Sequence, residues 1–572
     1  MASITIPRED FRAPVMPATQ DLLRWSVDHK IIGIQYMVFA FVMFLVGGAL
    51  AMGIRAELLT PELDFMSSGA SYNNLFTMHG SIMIFFWIMP VFAGFGNYIV
   101  PLQLGAKDMA FPWLNAFAFW LLPPAAFLML ASYFVGSAEA GWTSYPPLSI
   151  IAEYTGDGQV LWALSIHVLG ISSIAGGINF VVTVLNMRPP EMTIWRMPLF
   201  CWAMLATSII QVMATPFLTG GLLLLLLDRI GGTSFFNPAE GGDVLLYQNV
   251  FWFYSHPAVY IMVLPGMGLL SDVLAVHARK PVFGYRMIGL SSIAIALIGF
   301  MVWAHHMFTS LQPELRIPFM ITSMIIAVPT GIKIFGWIGT IWGGKIRFTG
   351  AMLFALGFLS MFVIGGISGV MLAAIPFDIH VHDTYFVVSH FHFVLFGGSV
   401  FAIYSGFYHW FPKITGRMMD ERLAKLHFVL TYIGFLGTFF PQHFVGLLGM
   451  PRRVAVYDPA FQDWNVLISL FGFVLGISTL VFVYNAGASL VSGKFAGANP
   501  WRALTLEWAT TSPPPAWNFD EDPIPFEDPY GYGSKASAAY LDAIDRTFGV
   551  PESDAPARPG GALRVQTGAT GD

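Results

Sequence analysis

Between residues 31 and 488 long apolar runs alternate with short polar breaks. Twelve runs are long enough for a helix to cross hydrocarbon, which takes about 20 apolar residues at 1.5 Å rise. They lie near 31–54, 77–100, 114–135, 160–186, 199–227, 250–272, 285–307, 318–341, 349–375, 387–411, 426–449 and 464–488. Tryptophans and tyrosines near several run ends suit an interfacial belt. The expected fold is an all-α integral membrane protein, a bundle of twelve transmembrane helices over 31–488. Residues 1–30 form a polar lead in which Pro7, Pro14 and Pro17 oppose a long helix. Residues 489–572 form a Pro- and Gly-rich tail with SPPPAWNF at 512–519, expected from about 530 to be mobile or partner-bound.

Composition agrees. Of 572 residues, 11% are charged, against about 25% in soluble domains. The single cysteine, Cys201, excludes a disulfide framework and any cysteine-based cluster. A net charge of −6 spread over tails and loops gives no case for nucleic acid. The breaks after even-numbered runs hold Lys107, Arg188, Arg196, Arg279, Lys280, Arg286, Lys345, Arg347, Lys413, Arg417, Arg422 and Lys425. Those after odd-numbered runs hold Arg55, Arg229, Arg316, Arg452 and Arg453. Basic loops stay in the cytoplasm, so both termini are expected on that side. No secretory signal is evident in 1–30, so the first run would direct insertion.

The candidate chemistry centres on Phe377 to Phe393, FDIHVHDTYFVVSHFHF. On a helix, His390 and His392 point about 200° apart, so one helix can present a ligand to each of two groups. The ordinary alternative is a pair of core histidines bonded to neighbouring helices. Within lipid, however, an ionisable side chain is a functional hypothesis by default. His79, in TMHG, lies about one turn inside the second run. In FWFYSHPAVYIMVLPG, His256 and Tyr260 are four apart and share a face. His305 and His306, in WAHHMF, are about 100° apart and can meet one metal only on the arc between them. Three imidazoles suit copper, zinc or iron.

Lys333, in PTGIK, is well inside an apolar run, where burial is expensive without a partner. Arg452 and Arg453, in GMPRR, lie outside the membrane and could pair with two carboxylates. Arg55, at the end of the first run, could reach a buried acceptor or simply snorkel to the surface, and position alone favours snorkelling. Asp108 lies between Asn97 and Asn115; it is either a solvated loop charge or the mouth of a proton path. The fourth run carries His167, Ser172, Ser173 and Asn179, and membrane serines often bond only to neighbouring backbone.

The motifs TMHG, GFGNY, GAKDMAFP, GWTSYPPLS, HPAVY, WAHHMFT, PTGIK, HDTYFVVSHFH and GMPRR occur in this order. From about residue 30 to 520 the chain resembles subunit I of the haem–copper terminal oxidases, cytochrome c oxidase type. The resemblance implies that His79 and His392 ligate a low-spin haem and His390 a high-spin haem, both a-type. It implies a copper ion on His256, His305 and His306, with Tyr260 covalently joined to His256. Arg452 and Arg453 would pair with haem propionates, and Arg55 with a substituent of the low-spin haem. His382 and Asp383 would contribute to a magnesium site shared with subunit II. The implied reaction is reduction of dioxygen to water with electrons from cytochrome c, coupled to proton pumping. Lys333, Thr330 and Tyr260 match one proton route; Asp108, Asn97, Asn115, Ser172, Ser173 and Asn179 match much of the other. The implied partners are subunit II with its own copper centre, subunit III, small membrane subunits and lipid. The implied location is a bacterial inner membrane.

One departure matters. Where the family's common motif has a glutamate, this chain has Ala258, and the residues before His256 are Tyr254 and Ser255. This resembles a branch in which a Tyr-Ser pair replaces the acid. Tyr254 lies four residues before Ala258, on the same face. As a phenol with an ordinary pKa near 10 it would relay protons rather than store one. A quinol oxidase shares the core, but its quinol-binding Arg, Asp, His and Gln are replaced here by Val46, Leu50, Ser71 and Asn74. A nitric oxide reductase would lack the His–Tyr pair. A channel or transporter could use buried histidines and Lys333 without haem, yet explains none of the motif order.

Overall fold

A backbone surrounded by hydrocarbon must satisfy its own N–H and C=O groups, which leaves helix as the element for a chain of apolar runs. The computed structural model describes residues 21–136, 138–519 and 523–548. Among them there is no named strand, only the bridges Thr384 to Pro451 and Arg417 to Phe495. In chain order the apolar helices are α1 His29–Glu57, α2 Gly69–Leu104, α3 Pro112–Phe134, α4 Gly158–Asn186, α5 Leu199–Ile230 and α6 Val244–Ala278. They continue with the shorter α7 Tyr285–Met301, then α8 Pro313–Ile341, α9 Gly350–Ala373, α10 Tyr385–Thr415, α11 Glu421–Leu447 and α12 Pro459–Ser492. All but α7, eleven among the described residues, are long and apolar enough to cross a membrane.

The seventh run, expected as one helix over 285–307, is realised in two pieces. At Val302 the chain leaves helical geometry, with φ −123° and ψ −3°, and a tight 3-10 turn, Trp303–Met307, comes next. That break carries His305 and His306. Two other helices change their winding beside a histidine. In α2 a π-helical turn, Ile82–Ile88, begins three residues after His79, and in α10 another, Leu395–Val400, begins three after His392. Wide turns of this kind cluster at functional sites.

Helix starts obey capping chemistry. Asp28, Ser68, Asp243, Thr349 and Asp420 each accept a backbone N–H from the first turn beyond them. Gly105 and Gly416, at φ 72° and 70°, close α2 and α10 in the left-handed region. Consecutive helices pack on each other, α5 on α6 and α11 on α12 most extensively, and α1 also meets α12. The innermost helices are α6 and α2, whose apolar 18-residue stretches are 89% and 83% buried, against 28% for α1 and α12. They carry His256 and His79.

Beyond α12 the tail folds back on the bundle. A final helix, α13 Lys535–Phe548, buries Leu541 and Ile544, and Arg502 pairs with Asp542 at 2.7 Å and with Asp545. The expectation of a mobile or partner-bound tail from about 530 therefore needs correction for residues 530–548, which dock through an apolar helix face and two ion pairs, while residues 549–572 lie outside the described residues. Pro7, Pro14 and Pro17 lie outside the described residues.

Close helix contact depends on glycine at a few points. A Cβ on Gly446 of α11 would lie 2.0 Å from the Phe386 backbone nitrogen of α10, whereas one on Gly487 of α12 would meet nothing within 4 Å. Gly446→Ala should therefore destabilise the bundle by about 1–3 kcal/mol or more, read as a lower melting temperature of the detergent-solubilised protein. Gly487→Ala should melt as wild type.

Candidate metal and cofactor site

A cavity of about 1490 Å³ runs through the middle of the bundle. That exceeds the roughly 300–1,000 Å³ of a site for one small ligand. Seven histidines line it, and six of them are the expected haem and copper ligands: His79 from α2, His256 from α6, His305 and His306 from the turn after α7, and His390 and His392 from α10. Tyr260, Thr330, Arg55, Arg452, Arg453, His382 and Asp383 lie on the same wall.

His256, His305 and His306 offer ligand nitrogens all within 4.8 Å of one another, the only group of three or more metal-ligating side chains among the described residues. His256 Nδ1 lies 3.1 Å from His306 Nε2. His305 Nδ1 is held by Ser323 Oγ at 2.7 Å. The His306 ring stacks on Trp252, centroids 3.7 Å apart at 9°, and Trp252 Nε1 donates to Tyr145. His256 Nε2 is buried without a partner, and the Tyr260 ring stands edge-on to this imidazole at 4.8 Å. The donor set fits a single copper ion.

The other three histidines share one design. His79 Nδ1 bonds to the Gly47 carbonyl at 2.9 Å and His392 Nδ1 to Val388 at 2.8 Å. His390 Nδ1 bonds to Gly365 at 3.0 Å and lies 3.1 Å from Ser368 Oγ. With the proton held on Nδ1, each ring keeps Nε2 as its lone-pair donor. Gly48 and Gly366 line the cavity, and a Cβ at either would meet nothing within 4 Å. Three imidazoles with free Nε2 and open glycine walls fit flat, iron-bearing macrocycles.

At one rim a polar clamp joins two loops. Arg452 donates through Nε to Asp383 Oδ1 at 2.8 Å and again through its terminal nitrogen, and its N–H bonds the Asp383 carbonyl at 2.9 Å. Asp383 and Arg453 adopt φ 57° and 64°, a strained region for such residues. Burial alone would raise the Asp383 carboxyl, yet Arg452 and His382 hold it below its ordinary value. His382 shows the opposite balance: burial lowers it, but Asp378, 3.0 Å from its Nδ1, raises it overall. Burial, reinforced by the Arg452 charge, brings Arg453 down to about 10. His382 Nε2 and Asp383 Oδ2 are 3.9 Å apart, two atoms that could ligate a cation. Asp378 was missed in the sequence, although its i, i+4 spacing to His382 was the available signal.

Arg55 does not snorkel. It is buried and donates to Ser469 Oγ at 3.0 and 2.8 Å and to Asn465 at 2.8 and 3.1 Å. Burial is tolerated because α12 supplies these polar acceptors inside the bundle.

The expected proton groups fall into two regions. Lys333 Nζ donates to Ser292 Oγ at 2.7 Å and the Ile288 carbonyl at 3.0 Å, and Thr330, one turn earlier on α8, lines the cavity. Ser292, on α7, carried no sequence signal of its own. In the second region Asp108 accepts from Met109 N–H at 2.6 Å, and burial pushes it up to about 6. Asn179 ties down Phe111 at 2.9 and 3.1 Å, and Ser172 donates to Ala118 at 2.7 Å while Ser173 is half-buried. Asn97 Oδ1 and Asn115 Nδ2 are buried without partners, as is Ser255 Oγ. Tyr254 is 3% exposed and Ala258 likewise.

Residues 31–474 match the family described as Cytochrome C and Quinol oxidase polypeptide I. The chain is 59% identical over 514 residues to cytochrome c oxidase subunit 1 of Synechocystis sp., covering 90% of this chain and 93% of that one. It is 56% identical over 515 residues to the subunit of that name in Thermostichus vulcanus, with the same coverage, 90% and 93%. Against that of Bacillus subtilis it is 45% identical, covering 91% and 85%. Its fold is similar to the cryo-EM structure of a heme-copper terminal oxidase dimer, TM-score 0.73 at 18% identity, covering 91% and 92% of the two chains. With the six expected ligand histidines on one interior cavity and the family match running from α1 into α12, this chain belongs to the haem–copper oxidase subunit I family.

Proposed function

We propose that this chain is the catalytic subunit of a respiratory cytochrome c oxidase, reducing dioxygen to water with electrons from cytochrome c and pumping protons. The convergence of the six expected ligand histidines on one cavity carries the reading, and relatives named cytochrome c oxidase subunit 1 favour it over a quinol oxidase. The twelve-span reading counts α7, the seventh in chain order, as a crossing beside the other eleven, with both termini cytoplasmic. Residues 1–30 are the lead, 31–488 the catalytic domain and 489–572 the tail. Bacterial relatives support a bacterial inner membrane.

His79 and His392 would hold the low-spin haem, His390 the high-spin haem, and His256, His305 and His306 the copper. Bound there, two haems, proposed as a-type, and copper supply the electron transfer and the dioxygen chemistry. Among the described residues the Asp383 carboxylate pairs with Arg452, and Arg453 instead lies over the Phe76 ring, so a propionate is its natural acceptor. Arg452 would divide itself between Asp383 and the second propionate, and Arg55 would add a donor toward the low-spin haem. His382 and Asp383 would hold magnesium with donors from subunit II, which also brings the copper centre for cytochrome c electrons. Subunit III and small membrane subunits would complete the assembly.

Each proton moved against the potential costs about 2.3 kcal/mol per 100 mV, so uptake routes must be separate from release. Lys333 and Thr330 would deliver protons toward Tyr260. Asp108, with Asn97, Asn115, Asn179, Ser172 and Ser173, would collect them for the second route. We place the chain in the Tyr-Ser branch: Tyr254 and Ser255 would relay protons past Ala258, and the unpartnered Ser255 hydroxyl supports an ordered water there.

Three outcomes test this reading. His392→Ala should remove the low-spin haem signal, while His390→Ala should abolish carbon monoxide binding; optical spectra losing the same haem in both would refute the two-faced helix. Active enzyme should carry a His256–Tyr260 bond, formed with loss of two hydrogens, and peptide mass spectrometry finding both residues unmodified would exclude it. Tyr254→Phe removes one donor and acceptor but keeps the ring. Haem reduction should survive, while proton uptake by vesicles during oxidation of the reduced enzyme should slow by about an order of magnitude. Normal uptake would leave Tyr254 as packing.

A further inference from the structure

Where α2 and α6 end, two carboxyl groups are buried together: Asp272 on α6, 2% exposed, and Glu507 in the tail, 1%. One amide serves both. Gln103 Nε2 donates to Asp272 Oδ2 at 2.8 Å and to Glu507 Oε1 at 3.1 Å. The amide's oxygen accepts from Cys201 Sγ at 3.3 Å, which fixes its orientation. Asp272 is well served, since Tyr530 donates to its other oxygen. Glu507 Oε1 also accepts from Trp410 Nε1 at 3.3 Å, but Oε2 is buried with no partner.

Every donor to the pair is neutral. Lys413 on α10 is the cation facing Glu507, yet its Nζ donates to the carbonyls of Ala498, Thr510 and Thr511 at 2.8–3.1 Å. The other titratable groups facing it are Cys201, Tyr532 and Tyr540, none of them basic. Two carboxylates sharing one amide in a dry site raise each other's proton affinity, so the pair binds one shared proton more readily than either acid alone. An unpartnered anionic oxygen is the costlier one to bury, so that proton is taken up on Glu507.

The pair is within reach of water and of the cavity. Tyr530, itself 2% exposed, is in the wall of a surface cleft of about 170 Å³ with Tyr285, Glu527 and Asp528, and its hydroxyl donates to Asp272, so this residue links the cleft to the pair. In the other direction Met267 of α6 lines the histidine cavity, five residues before Asp272 or about 7.5 Å along the helix.

We propose that Glu507 and Asp272 form a proton-exchanging carboxyl pair, supplied through Tyr530, whose proton occupancy rises when electrons enter the histidine cavity and falls when they leave. The proton comes from water in the cleft and returns to it; only O–H bonds are made and broken, and the electron stays with the cavity's redox groups. The coupling is Coulombic, since negative charge added nearby in a low-dielectric interior favours the protonated pair. The inference rests on the proposed haem–copper function but not on the Lys333 or Asp108 routes.

Redox difference infrared spectroscopy on the intact multisubunit oxidase, with visible haem spectra from the same sample, tests it. A protonated-carboxyl C=O signal should grow on reduction, shift in D₂O, vanish in Glu507→Gln and move in Asp272→Asn. Tyr530→Phe should keep the signal and slow its exchange into D₂O by about an order of magnitude. A wild-type signal that ignores the redox state, or one unaltered in both carboxyl variants, overturns the pair. Wild-type exchange in Tyr530→Phe overturns supply through that hydroxyl. Wild-type enzyme without haem absorption would instead overturn the proposed function.

Discussion

A polar group inside this bundle has no bulk water to fall back on, and that constraint decides where nearly every functional side chain points. His79, His390 and His392 each have Nδ1 engaged by a backbone carbonyl. A carbonyl within a helix is as rigid an anchor as the molecule offers, so the free Nε2 inherits the rigidity of the scaffold. The same rule brings Arg55 inward, because α12 offers a carbonyl, an amide and a hydroxyl where solvent cannot reach.

Most of the fold was legible in the chain because hydrocarbon imposes a length and a composition on whatever crosses it. The one run that misled was the seventh. Its apolar residues continue to Met307, but the backbone unwinds after Met301 to turn His305 and His306 toward His256. Hydrophobicity reports where a segment lies; it is blind to how that segment is wound. The π-helical turns in α2 and α10 were invisible for the same reason.

The histidines were readable through spacing, since 100° per residue relates His390 to His392 and His256 to Tyr260. Partners brought from distant segments could not be read. Ser292 is 41 residues from Lys333, and Gln103 bridges acids 169 and 404 residues away. Nothing local distinguishes such a serine or glutamine from any other polar residue in an apolar run. The tail was misjudged on composition: proline and glycine suppress regular structure, but Arg502 and the apolar face of α13 hold residues 535–548 against the bundle.

The π-helical turns after His79 and His392 have a consequence for how such a protein can vary. A wide turn accommodates one extra residue within a helix, and each added residue rotates everything beyond it by about 100°. The stretch carrying the histidine and the stretch running on toward the other membrane face are thus rotationally uncoupled. Lineages could re-aim one half of α2 or α10 by a single insertion or deletion at Ile82–Ile88 or Leu395–Val400 while the other half keeps its phase. Because Met83, Ile84, Trp87 and Ile88 of the first turn and Leu395, Phe396 and Val400 of the second also line the histidine cavity, such a change would reshape the cavity wall while leaving the histidine's own anchor in place.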